Sequence, residues 1–416
     1  LLSYYIGYWL LGIGRFKFMR NLLLSCIDNG QYPIANGLKK PMPDHGLIQE
    51  NVPLSPLTTL RIGGPARFFA EARDEEELLA AFSFAEQRSL PIFILGGGSN
   101  ALVADEGFPG LVIHMGLKGV TWRDEGGEVI VAARAGEDWD EFVRQCVERD
   151  LAGVECLSGI PGSVGGTPVQ NVGAYGQEVS ETIISVRAFD RLAGAFIELS
   201  NEQCRFGYRA SIFNTTARDR HVVTAVTYAL KPHGEPAIRY PDLKNYFSNI
   251  STGPSLALTR EAVRAIRAQK AMLIPPDDFA KDSAKDSAKD SAKDSDCRSA
   301  GSFFKNPVIT SDAFDHIKEI VADQVPSFPA GDGKLKVPAA WLIERAGFHK
   351  GYNRGRVGIS SKHTLAIVNR GGATAREVIG LMNEIQERVA EKFGVPLMPE
   401  PVFVGFEMVS FSPPHE

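Results

Sequence analysis

The stretch AGSFFKNP, residues 300–307, sets a hydroxyl, an amine and a carboxamide around two phenylalanines. Phe303 and Phe304 would pack and exclude water, leaving Ser302 and Asn306 to face a ligand. Exclusion of water strengthens the field acting on a reacting group. A hydroxyl so placed can donate a proton. On local grounds alone a Gly-Ser pair reads more readily as a turn. LGGGSN, residues 95–100, runs from an apolar segment into three glycines, a serine and an asparagine. Successive backbone N–H groups in such a turn make an anion nest. The segment lacks the GxGxxG spacing of a dinucleotide fingerprint and the GK[ST] ending of a P-loop. Alone, it reads equally well as a tight structural turn.

A second glycine-rich stretch shifts that balance. GIPGSVGGTPVQNVGAYG, residues 159–176, places six glycines and two prolines in eighteen positions. Such a segment loses much backbone entropy on folding. A fold tolerates that loss more readily when the backbone itself touches a large ligand. Two such loops suit a dinucleotide pyrophosphate and a flavin ring.

The elements that must position these residues are readable from periodicity. TTLRIGGPARFFAEA, residues 58–72, reads as a strand, a glycine turn and a second strand. Residues 73–90 form an amphipathic helix with acidic residues in its first turn, where the helix dipole favours them. PIFIL is a buried strand, LVIHM and EVIVAARAG are strands, DWDEFVRQCVERDL is helical and HVVTAVTYAL is a strand. Proline punctuation after Lys231 marks a domain boundary. Further on, VPAAWLIERAGF reads as a helix ending at Gly347 and HTLAIVN as a strand. Residues 374–394 form the clearest helix, with Thr374 and Glu377 at capping-box spacing. Val378, Leu381, Met382, Ile385, Val389 and Phe393 make its core stripe and Gly394 its stop.

Bulk composition narrows the function classes. A chain of 416 residues suggests two or three domains. A net charge of −5 gives no global pull toward nucleic acid. Five scattered cysteines, with no CxxC pair or Cys/His cluster, point to free thiols in a reducing compartment and to no metal site. The apolar LLSYYIGYWLLGIG is shorter than the roughly 20 residues of a spanning helix and is followed, not preceded, by basic residues. It is expected to be a poorly ordered extension or a start-site artefact, with an interfacial anchor as the minor alternative. AKDS repeats four times over residues 280–295. Its lysines would fall at i, i+4, where like charges repel, and nothing larger than alanine can bury a face. A solvated loop insertion is expected.

Five motifs in order then carry a resemblance. LGGGSN, GIPGSVGGTPVQNVGAYG, CRFGYRASIF, AGSFFKNP and PEPVFVG resemble the UDP-N-acetylenolpyruvoylglucosamine reductase family, in its longer subtype with a tyrosine loop, over roughly residues 51–405. The resemblance implies an α+β fold: a vanillyl-alcohol-oxidase/PCMH-type FAD-binding domain of two subdomains plus a C-terminal α+β substrate-binding domain. The expected layout is an extension over 1–50, the FAD domain over 51–231 (subdomains about 51–115 and 116–231), the substrate domain over 232–405 and a tail over 406–416. It implies FAD as cofactor and NADPH as co-substrate for reduction of an enolpyruvyl ether on a UDP-sugar, in peptidoglycan precursor synthesis. No nucleic acid, no membrane and a cytoplasmic monomer are expected.

By motif match, Gly96, Gly97, Gly98, Ser99 and Asn100 would cradle the FAD pyrophosphate. Gly159, Ile160, Pro161, Gly162, Ser163, Gly165 and Gly166 would continue the cofactor site, with Tyr175 near the flavin. Arg209 matches the arginine that stabilises the enolate, Ser302 the general acid and Glu400 the catalytic glutamate. Without the motif, Arg209 would read as a surface ion pair and Glu400 as a solvated charge. Tyr240, Lys270, Asn306 and His363 would bind substrate, with a structural histidine an equal reading for His363. The long segment between Lys270 and Ser302 departs from the family. It either loops outward or obstructs the substrate mouth. Two alternatives accompany this reading: an oxidase on the same flavin fold, and an inactive nucleotide-sugar-binding envelope protein.

Overall fold

The structure is a computed structural model that describes residues 46–248, 253–274, 295–321 and 323–406. The AKDS repeats, the apolar N-terminal run and the end of the tail lie outside the described residues, Ser295 apart.

The first sheet joins β1 (Ile48–Pro53), β2 (Pro65–Ala72), β3 (Ile92–Leu95) and, beyond β4 (Ala101–Val103), β5 (Phe108–Met115), in the order β1-β2-β5-β3. β1 therefore takes in residues 48–50, which the sequence assigned to the extension. β2 and β3 both run parallel to β5. Parallel strands need a crossover, and α1 (Glu75–Gln87) supplies it between β2 and β3. Asp74 accepts the N–H of Glu77 at 2.8 Å, and Glu75, Glu76 and Glu77 fill the first turn. Leu78, Ala81, Phe82 and Ala85 face the core.

One expectation is corrected here. Residues 58–62 form a turn after a short 3-10 segment (Ser55–Leu57), not a strand. The Thr58 hydroxyl lies near the carbonyls of Ser55 and Ile62, and Arg61 adopts φ 55°. Threonine hydroxyls that bond nearby backbone compete with a strand ladder. The Thr59 hydroxyl also reaches the Ser299 carbonyl at 2.6 Å.

The second sheet is antiparallel. It uses β6 (Val120–Glu125), β7 (Glu128–Arg134), β11 (Ile183–Asp190), β12 (Ala195–Ser200) and β13 (His221–Pro232), ordered β12-β11-β13-β7-β6. Between β7 and β11 lie α2 (Trp139–Glu148), β8 (Leu151–Ala152) and the glycine-rich stretch, reduced to 3-10 turns and a minimal hairpin of β9 (Gly173–Ala174) and β10 (Gln177–Glu178). A short α3 (Asn201–Cys204) follows β12.

The C-terminal part holds α4 (Pro241–Phe247), α5 (Leu256–Gln269), α6 (Ser311–Ile320), α7 (Ala339–Arg345) and α8 (Ala375–Phe393). Short strands β14 (Val308–Ile309), β15 (Phe328–Pro329) and β16 (Leu335–Lys336) form one small sheet. β17 (Asn353–Arg354), β18 (Val357–Ile359) and β19 (Ile367–Asn369) form another. α8 has the expected reciprocal Thr374–Glu377 cap, the whole expected stripe is buried, and Gly394 closes it at φ 66°.

Cores cross the boundary expected after residue 231. β20 (Val402–Val404) returns to pair in parallel with β4. Leu60, Ile62 and Leu102 share a core with α7 and α8. α5 packs instead on Cys156 and Tyr175 in the glycine-rich region. Cys146, Cys156 and Cys204 are buried free thiols.

Candidate active site

The two glycine-rich loops meet backbone to backbone. A Cβ on Gly97 would come within 2.6 Å of Gly162 Cα, and one on Gly96 within 2.7 Å of Ser163 Oγ. Gly98 has φ +62°, and a Cβ there would collide with the Leu57 carbonyl. Gly162, at φ +133°, lies against Ser99. No described residue accepts the backbone N–H groups of Gly96, Gly97, Gly98, Ser99 or Asn100, nor those of Ile160, Gly162 or Ser163. Rows of unused N–H donors on facing loops suit a diphosphate. Other positions of the second loop serve its own fold. Gly159 N–H goes to Asp140 Oδ1 at 2.6 Å, Gly165 N–H to the Ala135 carbonyl at 2.9 Å and Gly166 N–H to the Ser163 carbonyl at 3.0 Å. Pro161 has no N–H to offer. The Asn100 side chain is a tie: its Nδ2 donates to Gln170 Oε1 at 2.8 Å and to the Glu400 carbonyl at 3.3 Å.

Three groups that hold this region escaped the sequence reading: half-buried Asp140 and buried Arg267 and Glu155. Asp140 accepts from Arg260 at 2.6 Å and from Arg264 at 2.5 Å. Arg267 donates from Nε to the Gly159 carbonyl at 3.0 Å and from Nη2 to the Met272 carbonyl at 2.8 Å. Arg260, Arg264 and Arg267 stand at i, i+4 and i+7 on α5, a helical face visible in TREAVRAIRAQ. Glu155 accepts from Gly153 N–H at 2.8 Å, Gln177 Nε2 at 3.2 Å and Ala237 N–H at 2.9 Å. It thereby joins the glycine-rich region to the segment leading to Tyr240.

Tyr175, Tyr240 and Lys270 converge beside Arg267. Tyr175 sits at φ 51°, and its ring meets Tyr240 edge-on with centroids 5.6 Å apart. Burial pushes the Tyr175 hydroxyl pKa up, against the pull of Arg267 and Lys270. Burial also works against the charge of Lys270. Its ion pair with Asp242, at 2.7 Å, outweighs that and holds its pKa above the usual lysine range. Asp242 belongs to α4, so this pair ties the tyrosine-bearing segment to α5.

Arg209 sits at φ 54° in a tight loop closed by Gly207 and Ala210. Its Nε lies 3.2 Å from Glu400 Oε1, yet finds no acceptor in line, so the contact is one of charge rather than a directed hydrogen bond. Both side chains are largely buried, 23% and 12% exposed. Burial pushes the Glu400 pKa up, opposed by Arg209 and Lys305. Glu400 N–H donates to the Phe303 carbonyl at 2.9 Å, and Lys305 N–H to Met398 at 3.0 Å. The strip bearing Ser302 therefore runs beside the strip bearing Glu400. Phe303 and Phe304 are buried, as expected. Ser302 Oγ lies 3.4 Å from His363 Nε2.

Asn306 acts differently from a free ligand group. Its Oδ1 accepts the N–H of Ala339, the first residue of α7, at 2.9 Å. Lys336 Nζ stands 4.6 Å from the centre of the Tyr208 ring. Tyr208, Lys305, Asn306 and Met398 line a cavity of about 310 Å³. The segment just before Ser302 is pinned: buried Asp296 accepts both the N–H and the hydroxyl of Ser361, and Asn369 N–H meets the Arg298 carbonyl at 3.0 Å. Among the described residues no group of side chains could hold a metal ion, and no helix is long and apolar enough to cross a membrane.

Comparison with known proteins adds three findings. Residues 66–200 match the FAD binding domain family, and residues 291–404 match the UDP-N-acetylenolpyruvoylglucosamine reductase C-terminal domain family. The chain is 44% identical to the UDP-N-acetylenolpyruvoylglucosamine reductase of Thermobifida fusca over 365 residues, covering 85% of this chain and 97% of the relative. It is 43% identical to that of Streptomyces coelicolor over 381 residues, covering 89% and 94%. The crystal structure of the reductase from Thermus caldophilus superposes with a TM-score of 0.57 at 27% identity, covering 86% of this chain and 99% of that one.

Proposed function

The chain belongs to the UDP-N-acetylenolpyruvoylglucosamine reductase family, and from that premise we propose how its residues reduce the enolpyruvyl group of UDP-N-acetylglucosamine enolpyruvate to UDP-N-acetylmuramate. When bound, FAD supplies the redox chemistry, a hydride from NADPH for the terminal alkene carbon. The unused N–H groups of Gly96–Asn100, Ile160, Gly162 and Ser163 hold its diphosphate. The fit rests on those donors, on the absence of room for a Cβ at Gly97 and Gly98 and on the FAD binding match.

Hydride addition leaves negative charge spread into the substrate carboxylate. Arg209 meets that charge with a guanidinium that stays protonated. Glu400, its partner, is held toward the protonated form by burial and shares the same charge. Ser302 gives its hydroxyl proton to the neighbouring carbon. Lys270 and Tyr240 close over the UDP diphosphate, with the Lys270–Asp242 pair holding the tyrosine segment in place. Residues 51–231 hold the cofactor and 232–405 the substrate, Arg209 reaching across to the substrate beside Glu400, in a cytoplasmic monomer.

One observation carries this reading: Arg209 and Glu400 pair at 3.2 Å beside the strip that bears Ser302. The test is anaerobic. Flavin absorbance should bleach with NADPH and recover with UDP-N-acetylglucosamine enolpyruvate. Bleaching that oxygen reverses and the UDP-sugar does not would favour the oxidase alternative.

A further inference from the structure

Ser302 has one hydroxyl proton, and on the proposed function that proton goes to carbon. A serine hydroxyl is a weak acid, so its surroundings must favour release. Among the described residues its oxygen has one hydrogen-bonding neighbour, His363 Nε2 at 3.4 Å.

The loop carrying that ring is tied down along its length. Buried Ser360 accepts at Oγ the N–H groups of Lys362, at 3.1 Å, and of His363, at 3.3 Å. Ser361 donates its N–H and hydroxyl to Asp296, at 2.9 and 2.5 Å. The Thr364 hydroxyl reaches Glu344 at 2.5 Å. The Leu365 carbonyl accepts Phe303 N–H at 2.8 Å, which fixes the loop against the Ser302 strip itself. A donor so held needs no reorganisation when charge develops in front of it.

Burial, and then the charges of Lys270, Lys350 and Arg267, push the His363 pKa down to about 4. Of these cations, Lys270 carries its own carboxylate, Asp242. The ring is therefore neutral at neutral pH. A neutral imidazole has one N–H and one bare nitrogen. Were Nε2 the bare one, it would draw the Ser302 proton toward itself and away from the substrate.

We propose that His363 is a positioning residue for Ser302: a neutral imidazole whose Nε2–H donates to Oγ and leaves the hydroxyl proton free for the substrate carbon. The step balances. The electron pair of the enolate carbon forms the new C–H bond, and the Ser302 O–H bond breaks. The oxygen keeps that pair, still hydrogen-bonded to Nε2–H, and regains a proton from water once product leaves. The cations that keep the ring neutral also favour the negative oxygen.

The experiment is anaerobic rapid mixing of the FAD-loaded protein, wild type against His363→Leu and His363→Gln, each half-reaction followed by flavin absorbance. In His363→Leu, bleaching by NADPH should keep its rate, while recovery with UDP-N-acetylglucosamine enolpyruvate slows by about 10- to 100-fold. His363→Gln, whose carboxamide N–H can donate, should recover to within about fivefold of wild type. Wild-type recovery should be flat between pH 6 and 8. Unchanged recovery in His363→Leu would overturn the proposal, as would equal slowing of both half-reactions or a wild-type recovery rate that titrates with His363. Ser302→Ala separates this inference from the function it rests on. Slow recovery in Ser302→Ala with fast recovery in His363→Leu refutes the histidine's part alone. Fast recovery in Ser302→Ala refutes the proton-donor role of Ser302 as well.

Discussion

The glycine-rich loops and the Arg209–Ser302–Glu400 cluster are built from opposite materials. The first offers backbone: N–H groups on two loops pressed so close that a Cβ on Gly97 would run into the Gly162 backbone. The second offers side chains from three distant segments, brought together by strand-like pairing of residues 303–305 with 398–400. A backbone site depends on conformation and fails when a glycine gains a Cβ. A side-chain site depends on chemical groups and fails when a group is removed, with the fold intact. The two regions should therefore respond to mutation in different observables.

Ser302 apart, the largest expected effect is at Arg209. Arg209→Ala removes the cation beside Glu400 and should slow flavin recovery with the UDP-sugar by roughly 100- to 1,000-fold, with flavin content and melting temperature near wild type. Loss of flavin in that variant would blur the division between the two regions. Next is Gly98→Ala. The φ of +62° and the collision with Leu57 should cost about 1–3 kcal/mol, read as a lower melting temperature and loss of bound flavin. Protein that retains flavin should still show the wild-type ratio of the two half-reactions. Asn306→Ala sharpens the comparison, because Asn306 lies in the AGSFFKNP motif yet caps α7. It should cost about 1–3 kcal/mol of stability, from the unpaired Ala339 N–H, more visibly than it alters rates.

A further effect concerns pH. The folded-state pKa of His363 lies below its ordinary value, so the unfolded chain binds the extra proton first. Its contribution to stability is complete above about pH 6.5 and declines as pH falls toward 4, by about 3 kcal/mol at most. Denaturant melts at pH 7 and 5 should differ less in His363→Gln than in wild type.

The two regions were also unequally legible in the sequence. Glycine density announces a backbone site, and the second loop was visible from composition alone. α1 and α8 were readable for a related reason: caps and apolar stripes are local, and Thr374, Glu377 and Gly394 act where they stand. The proposed catalytic cluster could not be read that way. Arg209 and Glu400 are 191 positions apart by their numbers, and their pairing depends on a tertiary strip that no local pattern encodes. Only the resemblance to a family placed them together. Residues 58–62 misled because a β-branched, apolar run hid two threonines with other uses: Thr58 bonds nearby backbone and Thr59 reaches the distant Ser299 carbonyl. The side chains of Asn100 and Asn306 have structural partners that their motifs do not announce: one ties loops and the other caps a helix. The arginine face of α5 was present in the sequence, but its partner Asp140 lies on α2, more than a hundred residues earlier.

The most direct test of the division between backbone and side-chain sites is Ser302→Ala in an anaerobic two-step mixing experiment. The account predicts full flavin content, wild-type bleaching by NADPH and recovery with the UDP-sugar slowed by roughly 100- to 10,000-fold. Equal slowing of both steps, or recovery at the wild-type rate, would contradict it.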